Sequence, residues 1–309
     1  MDRNELKKLF EKAQASTNQA ILDASKARII VDESYCLYLS MFSAYSYIKA
    51  EHALEDNYEQ DITTIADFRV AFKKKFQSSI FFTAKRVLGA NPKMSNVILA
   101  GDCAKKNIWR NSIYDKYKLQ RRIADKTKNP FDFGKAFNYA KDILIPEFLE
   151  DNKGAKLITA DNAEGDDVIA AIVRLLPENE HKIVIACDKD YLQLLDRPNL
   201  VLTTCQGRVF DLESESKHKV LQKAEHTLTA KEFLLKKILI GDKADNIEPI
   251  FERCGEATAY KLILDKSLLK EKLKDPVIYA KFELNQQLID FDNIPESIIQ
   301  EVGSALNND

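Results

Sequence analysis

Histidine is scarce in this chain, with four among 309 residues, and the five cysteines (Cys36, Cys103, Cys187, Cys205, Cys254) are odd in number with no short paired spacing. That shortage argues against a zinc site and against a disulfide framework, and favours a reducing cytoplasm. Nowhere does an apolar run approach the roughly 18 residues needed to span a bilayer, and the first residues, Met1 to Lys8, are charged, so neither membrane insertion nor secretion is expected. Net charge is also lacking. At −2 the whole molecule offers no attraction to polyanions, so any grip on nucleic acid must come from local patches. Internal repeats and low-complexity stretches are absent too. What remains, at 45% hydrophobic residues, is an ordinary globular chain with room for one large domain or a large and a small one.

Short β-branched or apolar runs occur at Ile29 to Val31, Asn96 to Ala100, Ala155 to Ile158, Lys182 to Ala186 and Leu200 to Thr203, separated by longer helical patterns. That alternation predicts an α/β fold with a central, mostly parallel sheet flanked by helices, and places ligands at the carboxyl ends of the strands. Residues 1–27 read as a polar helical extension, 28–213 as the α/β domain, and 214–309, where strands stop, as a helical domain. Phe68, Phe72, Phe76 and Ile80 recur at helical spacing and are expected in the core, as are Tyr35, Tyr38, Phe42 and Tyr45. Gln206-Gly207 marks a hairpin between Thr203 and Phe210.

Carboxylates stand where these elements end. Asp32 follows the first strand, Asp102 the second, and Asp188 and Asp190 the fourth, while Glu164, Asp166 and Asp167 open an amphipathic helix; Asp242 and Asp245 follow a helical stretch further on. Each group alone has a plain explanation as a turn residue or helix cap. Together at one sheet edge, so many acids could not all stay ionised without cations. Oxygen ligands with no histidine or thiolate among them favour Mg²⁺, with Mn²⁺ able to substitute, and two such ions suit phosphodiester hydrolysis without a side-chain nucleophile.

From Lys105 to Lys128 nine cations face only Asp115 and Asp125. If that stretch is helical, Arg110, Tyr114, Tyr117, Lys118 and Arg121 share a side, so that cations for phosphate alternate with rings for bases. Asn129-Pro130 then breaks the pattern.

The most specific pieces, Glu164-Gly165-Asp166-Asp167, Asp188 to Leu195, Ile238 to Asn246 and Leu288 to Pro295, resemble in this order the 5′-nuclease superfamily of flap endonucleases and phage 5′-to-3′ exonucleases, most closely its T-even phage ribonuclease H branch. The resemblance implies a PIN-like catalytic domain with a short helical arch near 105–133. It implies a first Mg²⁺ site from Asp32, Asp102, Glu164 and Asp166 with Asp167 close by, and a second from Asp188, Asp190, Asp242 and Asp245. Arg110 and Lys118 would act at the reacting phosphate, and Arg110, Tyr114, Tyr117, Lys118, Arg121 and Arg122 would receive the 5′ strand. Substrates implied are RNA primers in RNA/DNA hybrids and duplex DNA with 5′ ends or 5′ flaps, cut in lagging-strand replication, with flap cleavage in repair as the alternative. A non-catalytic binding scaffold would lack a ligand, and none is missing. A single-stranded DNA-binding protein and a sliding clamp are the implied partners, no clear clamp-binding peptide being present, and the protein is expected to act as a monomer. One departure concerns the C-terminal helix-hairpin-helix, which is degenerate: Arg253 stands where a glycine is usual and Ala257 where a lysine is usual. Duplex grip would then be weaker, or would fall to Lys236 and Lys237.

Overall fold

The computed structural model describes residues 25–122 and 128–308, without the side chain of Arg122. The expected helical extension lies outside the described residues up to position 24. Five strands, β1 (Arg28–Asp32), β2 (Val97–Ala100), β3 (Lys156–Ile158), β4 (Lys182–Ile185) and β5 (Leu200–Thr203), form one sheet in the order β3-β2-β1-β4-β5. All four pairings are parallel, with Ile30 opposite both Ile98 and Val184. Helices cover both faces, which is why these strands read as unbroken apolar runs instead of alternating. Ile29, Val31, Leu99 and Ile185 pack under α1 (Glu33–Glu51) and α2 (Ala66–Leu88) with Phe68, Phe72, Phe76 and Ile80, all fully buried. Ile30, Ile98 and Val184 face the other way, onto α3 (Gly165–Leu175).

The strand order places the site. The chain runs outward through β1, β2 and β3 and then returns to pair β4 with the opposite edge of β1, so a topological switch lies between β1 and β4. Asp32 ends β1, and Asp188 follows β4 by three residues. The turn after β5 is the expected hairpin, with an antiparallel bridge between Thr203 and Val209 and Gly207 at φ +79°. The second aromatic stripe is mixed: Tyr45 is buried, whereas Tyr38 is 47% exposed against the Phe42 and Phe133 rings.

After residue 213 the chain is helical among the described residues, including α4 (Ala230–Ile240), α5 (Glu256–Leu264), α6 (Pro276–Ile289) and α7 (Glu296–Asn307). Leu239, Cys254, Tyr260 and Ile263 build a small core of their own. Yet Ile298, Ile299 and Val302 of α7 join the core beneath α3, so the last helix returns to the α/β layer. No described helix is long and apolar enough to cross a membrane.

Two backbone positions fix the turns that follow α4. Gly241 sits at φ +69°, and a Cβ there would lie 2.3 Å from the Ile247 carbonyl oxygen, so only glycine lets the chain double back through Asp242. Arg253 adopts φ +61°, the left-handed conformation that the usual glycine supplies freely. Arg253→Gly is expected to raise stability by roughly 0.5–1 kcal/mol, the relieved strain exceeding the added freedom of the unfolded chain. A higher urea midpoint with an unchanged slope would show it.

Candidate active site

Asp32 caps α1, its Oδ1 accepting from the Tyr35 amide at 2.9 Å, while the buried Tyr191 hydroxyl lies 3.3 Å from Oδ2. Asp102 is held on both oxygens: the Gly165 amide donates to Oδ1 at 2.6 Å and the Ser34 hydroxyl to Oδ2 at 2.6 Å. The approach is close: a Cβ at Gly165 would lie 3.3 Å from Asp102 Oδ1, so that a larger residue would have to shift the carboxylate by a few tenths of an ångström. These bonds draw the ends of β1 and β2 and the start of α3 together. Glu164 is the N-cap of α3 in a capping box with Asp167, which is the plain role its sequence position predicts. It also faces inward, with one oxygen each from Glu164, Asp166 and Asp167 lying within 4.8 Å of one another.

Asp167 is nevertheless committed elsewhere. Arg110, 2% exposed, donates from Nη2 to Asp167 Oδ1 at 2.7 Å, from Nη1 to Oδ2 at 2.8 Å and from Nε to the Leu288 carbonyl at 2.7 Å. Trp109 Nε1 donates to the same carboxylate at 3.0 Å, and its ring lies 4.5 Å from the guanidinium. Asp167 therefore anchors Arg110 more than it faces the cleft. Arg110 in turn is no free phosphate clamp.

The second set gathers around Lys237. Its Nζ lies 2.8 Å from Asp190 Oδ1 and 2.6 Å from Asp242 Oδ2, tying the turn after β4 to the turn after α4. Asp188 is exposed and caps the next turn, Oδ1 accepting from the Asp190 amide at 2.9 Å. Lys118 joins the two sets, with Nζ 2.5 Å from Glu164 Oε1 and 3.6 Å from Asp245 Oδ2, and Tyr117 donates to Glu164 Oε2 at 2.7 Å. Arg121 Nη2 reaches Asp245 Oδ1 at 2.8 Å. Asp32, Asp102, Glu164, Asp166, Asp188, Asp190, Asp242 and Asp245 are thus brought to one edge of the sheet.

The electrostatics record the crowding. Burial first, then the charges of Asp102 and Asp166, push the Asp32 carboxyl up to about 7. Burial and the Asp166 charge push Glu164 to about 7, and burial and the Asp188 charge do the same to Asp190. Burial works against the Lys118 ammonium, but Asp166, Glu164 and Asp245 outweigh it and hold the pKa above the ordinary lysine range. The buried oxygens Asp190 Oδ1 and Asp245 Oδ1 accept no well-directed hydrogen bond even with cations close by. A cluster of hard oxygen donors, partly protonated or under-bonded and containing no histidine, fits divalent ions such as Mg²⁺.

Several expectations for the basic stretch are corrected. Residues 105–122 do not form one helix: Tyr114 is extended (φ −141°, ψ 107°) between Arg110–Ile113 and Leu119–Arg122, and Lys118 is left-handed (φ +53°). The side chains therefore do not share a face. Tyr117 is buried, and Tyr114 donates to the Asn246 carbonyl at 3.2 Å, so neither ring is presented to a base. Lys236 is likewise 4% exposed, its ammonium 4.7 Å from the Phe233 ring centre, and Lys237 is enclosed by carboxylates, so the duplex grip expected of that pair is not seen. For the cations the physical reason is shared: Arg110, Lys118, Lys236 and Lys237 each lie beside acids from elsewhere in the chain. Lys105, Lys106, Lys116 and Arg121 remain exposed, and the Arg122 side chain lies outside the described residues.

Four contributors went unnoticed in the sequence, namely Ser34, Trp109, Tyr191 and Glu33. Glu33 is 2% exposed, burial pushes its carboxyl up to about 7, and its Oε1 accepts no hydrogen bond. Only its place beside Asp32 could have drawn attention to it.

Comparison with known proteins agrees with this geometry. The chain is 30% identical over 177 residues to DNA polymerase I of Streptococcus pneumoniae, a match covering 57% of this chain but 18% of that protein. It is 26% identical over 229 residues to ribonuclease H of Enterobacteria phage T4, covering 69% of this chain and 70% of the phage protein. In fold it resembles a bacteriophage T5 flap endonuclease solved with DNA and metal ions, at a TM-score of 0.60 and 18% identity over 90% of this chain and 97% of the other. The profile of the 5′-3′ exonuclease N-terminal, resolvase-like domain matches residues 49–227, more than half of the sequence, and to that family this chain belongs.

Proposed function

We propose that this protein is a divalent-metal-dependent 5′-to-3′ nuclease that hydrolyses phosphodiesters in RNA primers annealed to DNA and at the 5′ ends or flaps of duplex DNA, in lagging-strand replication. The observation that carries it is the joining of two carboxylate sets by Lys118, which sits between Glu164 and Asp245.

Asp32, Asp102, Glu164 and Asp166 would hold one ion, and Asp188, Asp190, Asp242 and Asp245 a second. Such ions, when bound, supply Lewis-acid stabilisation for charge at the phosphate under attack. The chain's own residues do the rest. Ser34 and the Gly165 amide fix Asp102, and Tyr35 and Tyr191 fix Asp32, so the anionic oxygens are set before a substrate arrives. Lys118 and Arg121, each already close to a carboxylate, offer positive charge that a phosphate could share, offsetting repulsion by the acids. Exposed Lys105, Lys106 and Lys116 would meet the backbone of the incoming strand nearby.

Wild type, Asp102→Asn and Asp188→Asn are to be compared on end-labelled RNA/DNA hybrid, blunt duplex and 5′-flap DNA, with Mg²⁺ and with chelator. Cleavage by wild type with Mg²⁺ alone is expected, starting at the 5′ end, with both variants reduced by about a hundredfold or more. Equal cleavage by all three proteins, or cleavage that survives chelation, would remove this mechanism. Relative rates on the hybrid and on the flap separate primer removal from a repair role.

A further inference from the structure

More than half of the chain separates Cys36 from Cys205, yet their Sγ atoms lie 3.1 Å apart, close enough that either thiol could donate to the other. Cys36 is in the first turn of α1, four residues after Asp32, and is fully buried. Cys205 begins the turn after β5 and is partly open to solvent. Both are free thiols.

The surroundings hold the backbone of this turn and leave the Cys205 sulfur facing its partner. Its amide donates to the Tyr35 hydroxyl at 3.2 Å, and its carbonyl accepts from the Thr83 hydroxyl at 2.9 Å. Arg86 Nη1 donates to the next carbonyl, that of Gln206, at 2.6 Å. The two thiols are also unequal. Burial holds the Cys36 thiol well above the usual range, whereas the hydrogen bond with Cys36 lowers Cys205. Nucleophilic character and access therefore coincide at Cys205, and the enclosed Cys36 stands where a second thiol must stand to complete an exchange.

We propose that Cys36 and Cys205 are a site of reversible oxidative modification, at which a low-molecular-weight disulfide closes the pair into an intramolecular disulfide joining α1 to the β5 turn. In the first step the Cys205 thiolate attacks one sulfur of the small disulfide; that S–S bond breaks, one half departs as a thiolate, and the other half stays on Cys205 as a mixed disulfide. In the second, Cys36 yields its proton to solvent and its thiolate attacks Cys205 Sγ, expelling the remaining half as a second thiolate. Two protein thiols have then lost two electrons, and the small disulfide has been reduced to two thiols. The assignment does not depend on the proposed nuclease activity. The bond closes a loop of more than a hundred and fifty residues, which restricts the unfolded chain far more than the folded one.

The test uses the full chain, equilibrated with oxidised glutathione, trapped by alkylation after denaturation and mapped by mass spectrometry. A Cys36–Cys205 cross-linked peptide is expected, reversible by dithiothreitol, together with a rise in metal-free melting temperature of about 5 °C or more over the reduced protein. Both effects should vanish in Cys205→Ala, a change at a partly buried turn residue that packs against the core holding Cys36, so the variant's oxidised and reduced samples are compared with each other. Glutathione persisting on Cys205 while Cys36 remains alkylatable would overturn the proposal, as would a cross-link from Cys205 to Cys187 instead.

Discussion

Asparagine in place of Asp32 is expected to lower the proposed cleavage by about a thousandfold or more, some 4 kcal/mol of barrier, and at the same time to make the metal-free protein harder to melt. The two effects share a cause. Asp32 ends β1 among acids: burial, Asp102 and Asp166 push its carboxyl up to about 7. Because the folded state binds that proton more tightly than the unfolded one, stability is unimpaired below about pH 4 and is lost as pH rises toward 7. The variant has no charge to bury and keeps an amide oxygen to accept from the Tyr35 amide. Without metal at pH 8 it should therefore melt a few degrees above wild type, and at pH 4 the difference should close. Added Mg²⁺ should raise the wild-type melting temperature and move the variant less, because an ion that binds only the folded state stabilises it by mass action. Wild-type rates in the variant, or a lower metal-free melting temperature at pH 8, would show that Asp32 is an ordinary cap.

Arg110→Ala is the substitution with the largest expected cost in stability, about 3–5 kcal/mol. It would leave Asp167 buried without its bidentate partner, strip a donor from the Leu288 carbonyl and open space beside Trp109. A residue whose work is to grip phosphate would behave differently: its loss would weaken nucleic-acid binding and flatten the salt dependence while leaving the fold unchanged. Chemical denaturation and a salt titration of duplex binding decide between them. A fall of several kcal/mol in unfolding free energy is the expected result, whereas an unchanged denaturation midpoint with a flatter salt slope would return Arg110 to the nucleic-acid interface. Arg121→Ala offers the contrast, since that side chain is 54% exposed and its removal should cost the fold little.

Sheet, helices and acidic positions were legible because they rest on local rules. Ile29 to Val31 and Lys182 to Ile185 had to be buried strands, since helices on both faces leave no side for polar residues. Glu164 to Asp167 had to begin a helix, since carboxylates suit its free amides. Arg253 was marked as unusual only by the family resemblance, a glycine being usual there, and the structure gives it the left-handed conformation that resists a side chain.

The basic stretch was misread for an equally physical reason. Helical spacing placed Arg110, Tyr117 and Lys118 on one face, but a cation's partner is chosen in three dimensions. Arg110 finds Asp167 57 residues away and the Leu288 carbonyl 178 residues away, and the segment turns at Tyr114 and Lys118 instead of continuing as a helix. The sequence by itself determined which residues are strands, where each acid stands in relation to a strand or helix end, and which ions such oxygens would suit. Tertiary structure alone decided that β4 returns beside β1, that Lys118 and Lys237 lie among the acids, and that Cys36 meets Cys205. Periodicity reports a residue's neighbours within an element; charge pairing and sulfur contact depend on distances between elements, which only the packed chain sets.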